Sequence, residues 1–237
     1  MYRTNIVIMQ QILLLHGALG SPQYFDFIKS NLGSKYDVHT PTLLGHAGNN
    51  DQDIPLTIAN YVNQIEAYVL ANNLNNFVIF GYSMGGYIGL NYATKFPDKV
   101  KAVVTLATKF AWNPEVAQKE ALFLQPAIIL EKVPKYAQVL SKMHGDSWQN
   151  LVENIAELLL QLGQEPNLNK SNLSKIVCPV QVMVGAQDNM VSIEETKQLA
   201  DQIKNSSIKI LPDTIHPFEK IDQELLVDLL NNFLVKL

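Results

Sequence analysis

The stretch Phe77-Val78-Ile79-Phe80-Gly81-Tyr82-Ser83-Met84-Gly85-Gly86 decides the fold class of this chain. Its first four residues are apolar, which predicts a buried strand, and the segment 87–96 that follows predicts a helix. The string Gly-x-Ser-x-Gly at the junction is typical of a sharp turn that exposes a nucleophile. Such a turn crowds its neighbours, so residues without side chains are needed at positions 81 and 85. Ser83 is therefore the candidate nucleophile.

Short apolar runs recur on both sides of this turn, with helix-like segments between them. The predicted strands are 11–15, 36–41, 77–80, 100–106, 180–184 and 207–211, and the segment 57–72 has apolar residues at helical spacing. Continuous apolar strands separated by helices indicate a parallel sheet that is covered on both faces. The sequence therefore predicts an α/β fold, mostly parallel.

One segment departs from this alternation. From Trp112 to about residue 170 the sequence predicts helices, broken at Pro114, Pro126 and Pro134, and no strand. We interpret this segment as a small helical cap over an edge of the sheet, with ordinary sheet-covering helices as the alternative. The chain would then consist of a first core part (1–111), a cap (112–170) and a second core part (171–237).

Composition narrows the class of protein. The chain has 237 residues, of which 47% are hydrophobic and 17% charged, so it can bury a core and is not expected to be disordered. The net charge of −4 excludes the basic field that nucleic-acid binders usually carry. Arg3 is the sole arginine. Because arginine is the preferred partner of phosphate and carboxylate groups, a multiply anionic substrate is disfavoured.

The remaining composition predicts no metal, no cofactor and no membrane span. Cys178 stands alone in an apolar run, so we expect a buried thiol and neither a disulfide nor a thiolate cluster. Five scattered histidines give no zinc spacing, and neither a dinucleotide-binding motif nor a P-loop occurs. No apolar run approaches the ~20 residues of a membrane span, and no signal peptide is expected. The expected location is cytoplasmic.

Three further stretches extend the pattern around Ser83, and together they resemble the α/β-hydrolase superfamily in its capped, serine esterase and lipase-like branch. They are Leu14-Leu15-His16-Gly17-Ala18-Leu19-Gly20-Ser21, Gly45-His46-Ala47-Gly48 and Phe96-Pro97-Asp98-Lys99-Val100. The resemblance covers nearly all of the chain outside 112–175. It implies an oxyanion hole made of the backbone N–H groups of Ala18 and Met84. Thr42 stands where the family usually has an aspartate.

A serine nucleophile needs a base, and the base needs a group that orients it. The family's chain order is serine, acid, histidine. The resemblance then implies Asp188 as the acid, after the strand 180–184, and His216 as the base, although Ile215 replaces the usual glycine before it. Asp213 is a weaker candidate for the acid, with a turn role favoured.

The other histidines are weaker candidates than His216. His16 is expected to be a hydrogen-bonding loop residue. His46 is either a loop residue or part of the pocket border. His39 and His144 belong to no motif and are expected on the surface.

The resemblance implies a serine hydrolase that cleaves a carboxylic ester of a small molecule. Trp112, Phe123 and Trp148 in the cap suggest a largely apolar pocket, although packing of the cap against the core is the favoured use for most of them. The same triad serves carbon–carbon bond hydrolases and a menaquinone-pathway lyase branch, which binds a polyanionic substrate with arginines. A hydrolase-like receptor without useful turnover is the alternative from another class.

Overall fold

The computed structural model describes residues 9–49 and 54–237, so Arg3 and residues 50–53 lie outside the described part. This part contains six strands and ten α-helices. The strands are β1 (Gln10–Leu15), β2 (Tyr36–His39), β3 (Phe77–Tyr82), β4 (Val100–Leu106), β5 (Val180–Gly185) and β6 (Ser206–Leu211). The helices are α1 (Asp26–Leu32), α2 (Ile58–Ala71), α3 (Met84–Lys95), α4 (Pro114–Leu122), α5 (Pro126–Lys132), α6 (Pro134–His144), α7 (Trp148–Gln164), α8 (Lys170–Leu173), α9 (Ile193–Ala200) and α10 (Gln223–Leu234).

The strands form one sheet in the order β2-β1-β3-β4-β5-β6, and every pair in it is parallel. This confirms the predicted α/β class. Strand β3 lies at the centre, and its Gly81 pairs with Leu15 of β1. Because all strands are parallel, their carboxyl ends meet at one edge, which is where open α/β sheets bind ligands. The loops that follow β1, β3, β5 and β6 therefore come together there.

Both faces of the sheet are buried at its four central strands, which explains why β1, β3, β4 and β5 are mostly apolar, whereas the edge strands β2 and β6 are partly exposed. On β3, Ile79 lies in the core cluster with α2, α3 and α7, whereas Val78 and Phe80 lie in the cluster with α1 and α10. This alternation is the two-residue period of a strand. Cys178 is buried, as expected.

The segment 112–170 contains the helices α4 to α7 and the start of α8, and no strand is assigned within it. The predicted breaks at Pro114, Pro126 and Pro134 are confirmed, since each proline is the first residue of a new helix. Proline fits there because the first N–H of a helix has no partner within it. The division into core and cap stays a prediction. None of the helices in the described residues combines the length and apolar character needed to cross a bilayer.

Candidate active site

Ser83 lies at the junction of β3 and α3, in a strained backbone conformation. Its φ of 51° and ψ of −118° are unusual for a residue with a side chain, and such a conformation costs about 1 to 3 kcal/mol. Its N–H donates to the Leu106 carbonyl (2.8 Å) and its carbonyl accepts from Thr108 Oγ1 (3.0 Å). These bonds from β4 and the loop behind it hold the turn, so the strain is balanced by the surrounding structure.

The glycines of the turn are needed for close approach. A Cβ at Gly85 would lie 2.1 Å from the Leu15 carbonyl oxygen, and one at Gly81 would lie 2.4 Å from the Gly86 backbone. Both contacts are with backbone, which cannot move aside. The structure thus supplies the reason for the glycines expected at 81 and 85.

The structure brings together the three side chains that the resemblance implies as a triad. Ser83 Oγ lies 3.5 Å from His216 Nε2, and His216 Nδ1 lies 2.9 Å and 3.2 Å from the two carboxylate oxygens of Asp188. The first distance is at the long end for a hydrogen bond, as is common before substrate binds. The arrangement can move a proton from the serine hydroxyl to an imidazole that a carboxylate orients.

Asp188 is a fully buried carboxylate that remains ionised. Burial raises its pKa, but hydrogen bonds from His216 and from the amides of Val191 and Met190 outweigh this and hold the pKa below its ordinary value. The two amides donate to one carboxylate oxygen at 2.9 Å and 2.8 Å. A negative charge is thereby kept beside the His216 ring, where it stabilises the protonated imidazole.

The loops after β5 and β6 hold Asp188 and His216 in register. The Gln187 N–H donates to the Thr214 carbonyl (3.0 Å), and Gln187 Nε2 donates to the Asp213 carboxylate (3.1 Å). Asp213 therefore has a turn role, as favoured from the sequence. Ile215 is 37% exposed, and the contacts of His216 with Ser83 and Asp188 are present despite this departure from glycine.

The loop after β1 passes directly over Ser83. A Cβ at Gly17 would lie 3.2 Å from Ser83 Cβ. The N–H groups of Ala18 and Met84 donate to no acceptor among the described residues. Met84 is the first residue of α3, whose amino-terminal dipole favours negative charge. The assignment of these two N–H groups as an oxyanion hole stays a prediction that this geometry suits.

Three histidines that sequence reasoning treated separately lie side by side. The rings of His16 and His46 are 5.0 Å apart, and those of His46 and His144 are 5.7 Å apart. His144 is only 3% exposed, so its expected surface position is wrong: it ends α6 and is buried against loops of the core. His39 is half-buried.

His16 and His46 form hydrogen bonds with the loops around them. His16 Nδ1–H donates to the Gly17 carbonyl (2.9 Å), which fits its expected loop role. His46 Nδ1–H donates to the Leu44 carbonyl (2.8 Å), while its Nε2 accepts from the Leu19 N–H (3.2 Å). Both ring nitrogens of His46 are therefore engaged within the protein, and its place at the pocket border stays a prediction.

Because His16, His46 and His144 are buried, we expect the free energy of unfolding to fall at acidic pH. Burial is the main cause that lowers the pKa of each, to about 4 for His16, well below the ordinary value for His46, and in the same direction for His144. Below about pH 6.5 the unfolded chain binds protons that the folded chain does not, so the free energy of unfolding falls as the pH falls. Each histidine contributes at most ~1.4 kcal/mol per pH unit.

Urea unfolding between pH 7 and pH 5 measures this slope. We expect a shallower slope for His144→Gln, which removes one of the three groups. A free energy of unfolding that is equal at both pH values in the wild type would contradict the burial of neutral histidines.

The predicted pocket residues of the cap lie in different environments. Trp148 is buried in the core cluster at the start of α7, whereas Phe123 is 66% exposed at the end of α4. Trp112 is half-buried, and its indole N–H is buried without a partner among the described residues. A substrate-binding role for these side chains stays a prediction.

A groove of about 880 Å³ lies between α4, α5 and α7, within the segment 112–170. Its wall is largely apolar, with Leu122, Leu130 and Leu160 among the lining residues, and no triad residue lines it. The groove is thus separate from the strained turn at Ser83.

Tyr82 is a site residue that sequence reasoning missed. Its hydroxyl donates to the His216 carbonyl (2.8 Å), and its ring lies 5.7 Å from the His216 ring. It occupies the first variable position of the Gly-x-Ser-x-Gly string, so the turn that exposes Ser83 also braces the histidine loop. The Gly-x-Ser-x-Gly pattern allows any residue at this position, so the sequence alone did not indicate a role for Tyr82.

Comparison with known proteins agrees with this architecture. Among curated proteins, the chain is 23% identical to the monoacylglycerol lipase ABHD6 of Bos taurus over an alignment of 234 positions that covers 86% of this chain and 69% of the relative. It is 21% identical to an uncharacterized protein of Mycobacterium tuberculosis strain H37Rv over an alignment of 258 positions, with coverage of 94% and 74%.

Solved structures with the same fold include a putative lipase from Acinetobacter baumannii AYE (TM-score 0.80, 22% identity, 96% of this chain and 84% of that one). The enol-lactonase from Burkholderia xenovorans LB400 is a second (TM-score 0.79, 17% identity, 96% and 92%). The family model described as alpha/beta hydrolase fold matches residues 11–150, more than half of the sequence. The chain belongs to the alpha/beta hydrolase fold family.

Proposed function

We propose that the protein is a serine hydrolase that cleaves a carboxylic ester of a small, largely apolar substrate through an acyl-enzyme on Ser83. The observation that carries this proposal is the contact chain from Ser83 Oγ through His216 to the buried Asp188 carboxylate, at 3.5 Å and 2.9 Å. A relative named as a monoacylglycerol lipase supports an ester as the bond that is cleaved.

In the proposed reaction, Ser83 Oγ attacks the ester carbonyl while His216 Nε2 accepts the serine proton. The N–H groups of Ala18 and Met84 stabilise the oxyanion that forms, and Asp188 stabilises the charged imidazole. His216 then returns the proton to the leaving alcohol, which leaves the acyl group on Ser83. A water molecule, deprotonated by the same imidazole, releases the acid and restores the serine.

A substrate panel tests the bond class. Wild-type protein is offered p-nitrophenyl esters of graded chain length, matched thioesters and anilides, and a diketone that reports carbon–carbon cleavage. We expect turnover of esters to exceed that of the other classes, with a preference for uncharged acyl groups because the sole arginine is Arg3. Ester turnover no faster than that of Ser83→Ala would contradict the proposal, and cleavage of the diketone without the esters would favour a carbon–carbon hydrolase.

Asp188→Asn is expected to lower kcat for the best ester by about 10⁴-fold with KM little changed. The neutral amide can neither fix the imidazole tautomer nor stabilise its positive charge. Asp213→Asn is the matched control, since Asp213 is a carboxylate of the same loop pair that bonds only to Gln187 among the described side chains. It should keep kcat within about twofold. Equal losses in both variants, measured by steady-state kinetics, would contradict the assignment of Asp188.

A further inference from the structure

Leu19 is held on both sides by histidine rings. Its N–H donates to His46 Nε2 (3.2 Å), and its carbonyl accepts a hydrogen bond from His144 Nε2 (3.0 Å). Leu19 directly follows Ala18, one of the two proposed oxyanion donors. The two rings therefore grip the chain one residue beyond that donor.

The turn that contains Ala18 and Leu19 needs such support. The Gly20 N–H donates to the Gly17 carbonyl (3.2 Å), which closes a four-residue turn. Leu19 occupies its third position with a φ of 57°, where glycine or asparagine is usual. A leucine is disfavoured in this conformation, since its side chain crowds the backbone. Bonds to both of its backbone polar groups keep the turn in the form that directs the Ala18 N–H.

His144 is itself fixed by its surroundings. Its Nδ1 accepts from the Ala47 N–H (2.9 Å), so its proton must be on Nε2, where it reaches the Leu19 carbonyl. The ring is buried at the last residue of α6, and burial lowers its pKa, which favours the neutral form that these two bonds require. Both ring nitrogens are engaged, so neither is left for a substrate or a metal.

We propose that His144 is a positioning residue: it reaches from helix α6 to the loop after β1 and, through Leu19, holds the Ala18 N–H in place for the oxyanion. This inference rests on the proposed function, because it gives the Ala18 N–H a role in the reaction. A purely structural His144 would only fasten α6 to the core.

Three substitutions separate the two roles. The amide of glutamine in His144→Gln reaches the place of Nε2 and can donate to Leu19, whereas the shorter asparagine in His144→Asn reaches only the place of Nδ1 and can accept from Ala47. His144→Leu removes both bonds. Leu140→Ala is the control, since it removes a fully buried side chain from the same helix and leaves the bonds of His144 in place.

The readouts are kcat and KM for the best ester, the melting temperature, and hydrogen exchange of the peptide that contains the Leu19 amide. For His144→Asn and His144→Leu we expect kcat to fall by about 10- to 100-fold, with KM within about twofold, because a displaced donor weakens the transition state and not substrate binding. Exchange of the Leu19 amide should become about tenfold faster in both. His144→Gln should restore kcat to within about threefold of wild type. Leu140→Ala should lower the melting temperature without a comparable loss of kcat.

Two kinetic results with the variants would overturn the inference. One is a kcat within twofold of wild type for His144→Asn and His144→Leu when both fold. The other is a loss of kcat in Leu140→Ala equal to that in His144→Asn, which would make cap stability the cause. A wild type inactive on every ester overturns the proposed function and the catalytic part of the inference, and this outcome is visible without any variant. Hydrogen exchange that is unchanged in His144→Leu overturns the claim that the ring holds Leu19, whatever the activity.

Discussion

Ser83→Ala is expected to lower kcat for ester hydrolysis by about 10⁶-fold, to the rate supplied by binding and the oxyanion donors. Alanine keeps the Cβ and hence the strained conformation of the turn, but it has no oxygen to attack the carbonyl. The turn is held by hydrogen bonds from the Ser83 N–H to the Leu106 carbonyl and from the Thr108 hydroxyl to the Ser83 carbonyl. The substitution leaves both intact, because they involve only the backbone of residue 83. The variant should therefore fold like the wild type, and steady-state kinetics on the same ester measures the loss.

Ser30→Ala is the matched control for this experiment. Ser30 lies on the exposed side of α1, where its hydroxyl donates to the Phe27 carbonyl (2.8 Å), and it belongs to none of the loops that carry the triad. It should keep kcat within about twofold. Retention of more than one hundredth of the wild-type kcat by Ser83→Ala, with contamination excluded, would remove Ser83 as the nucleophile.

His216→Ala is expected to cause a loss of the same size, about 10⁶-fold in kcat. Serine and histidine act as a unit, since the hydroxyl is a weak nucleophile unless the imidazole takes its proton. The fold should survive because the buried Asp188 carboxylate keeps its bonds from the Met190 and Val191 amides. The cost in the free energy of unfolding should stay near ~1 to 3 kcal/mol, the range for a lost partner of a charged group.

Circular dichroism and urea unfolding check the fold of this variant, and His39→Ala is its control. His39 lies at the end of β2 and bonds to the Tyr68 hydroxyl (3.2 Å), outside the contact chain of Ser83. Its replacement should leave kcat within about twofold. A near-normal kcat in His216→Ala would require another base, although both ring nitrogens of His46 are already engaged.

The sheet could be predicted from the sequence because its central strands are buried on both faces. The central strands carry apolar runs, as in Phe77-Val78-Ile79-Phe80, and this signal survives without knowledge of tertiary contacts, whereas the edge strands β2 and β6 are more polar and partly exposed. The start of α3 was harder to predict. Gly85 and Gly86 lower the helix propensity at its beginning, so the sequence predicts a start at Tyr87. In the structure the helix begins at Met84, where the two glycines allow close packing against β1 and β4.

The candidate triad could be predicted because each member stands in a local pattern that resembles the α/β-hydrolase superfamily, whose chain order of serine, acid and histidine implies the role of each. Ser83 follows a strand in Gly-x-Ser-x-Gly, Asp188 follows β5 closely, and His216 lies in the loop after β6. Parallel strands bring such loops to one edge whatever the details of packing. The parallel topology is therefore the main reason that the loops with Ser83, Asp188 and His216 lie together.

His144 was beyond the reach of such patterns. Its partners Ala47 and Leu19 are 97 and 125 residues away, and nothing in the sequence around it marks a buried ring. The left-handed conformation of Leu19 could not be predicted from the sequence either, because leucine is not one of the residues that favour turns. Contacts of this kind depend on how the helices after β4 pack on the core, which local spacing does not determine.

The most direct test of the account is the mass of the protein after reaction with a fluorophosphonate. Such a reagent phosphonylates a serine only when a neighbouring base activates it, and digestion then identifies the modified peptide. The account predicts one adduct per chain, on the peptide that contains Ser83, with no adduct in Ser83→Ala and a strongly slowed reaction in His216→Ala. An unmodified wild type under conditions that label a known esterase, or an adduct of equal yield in Ser83→Ala, would contradict it.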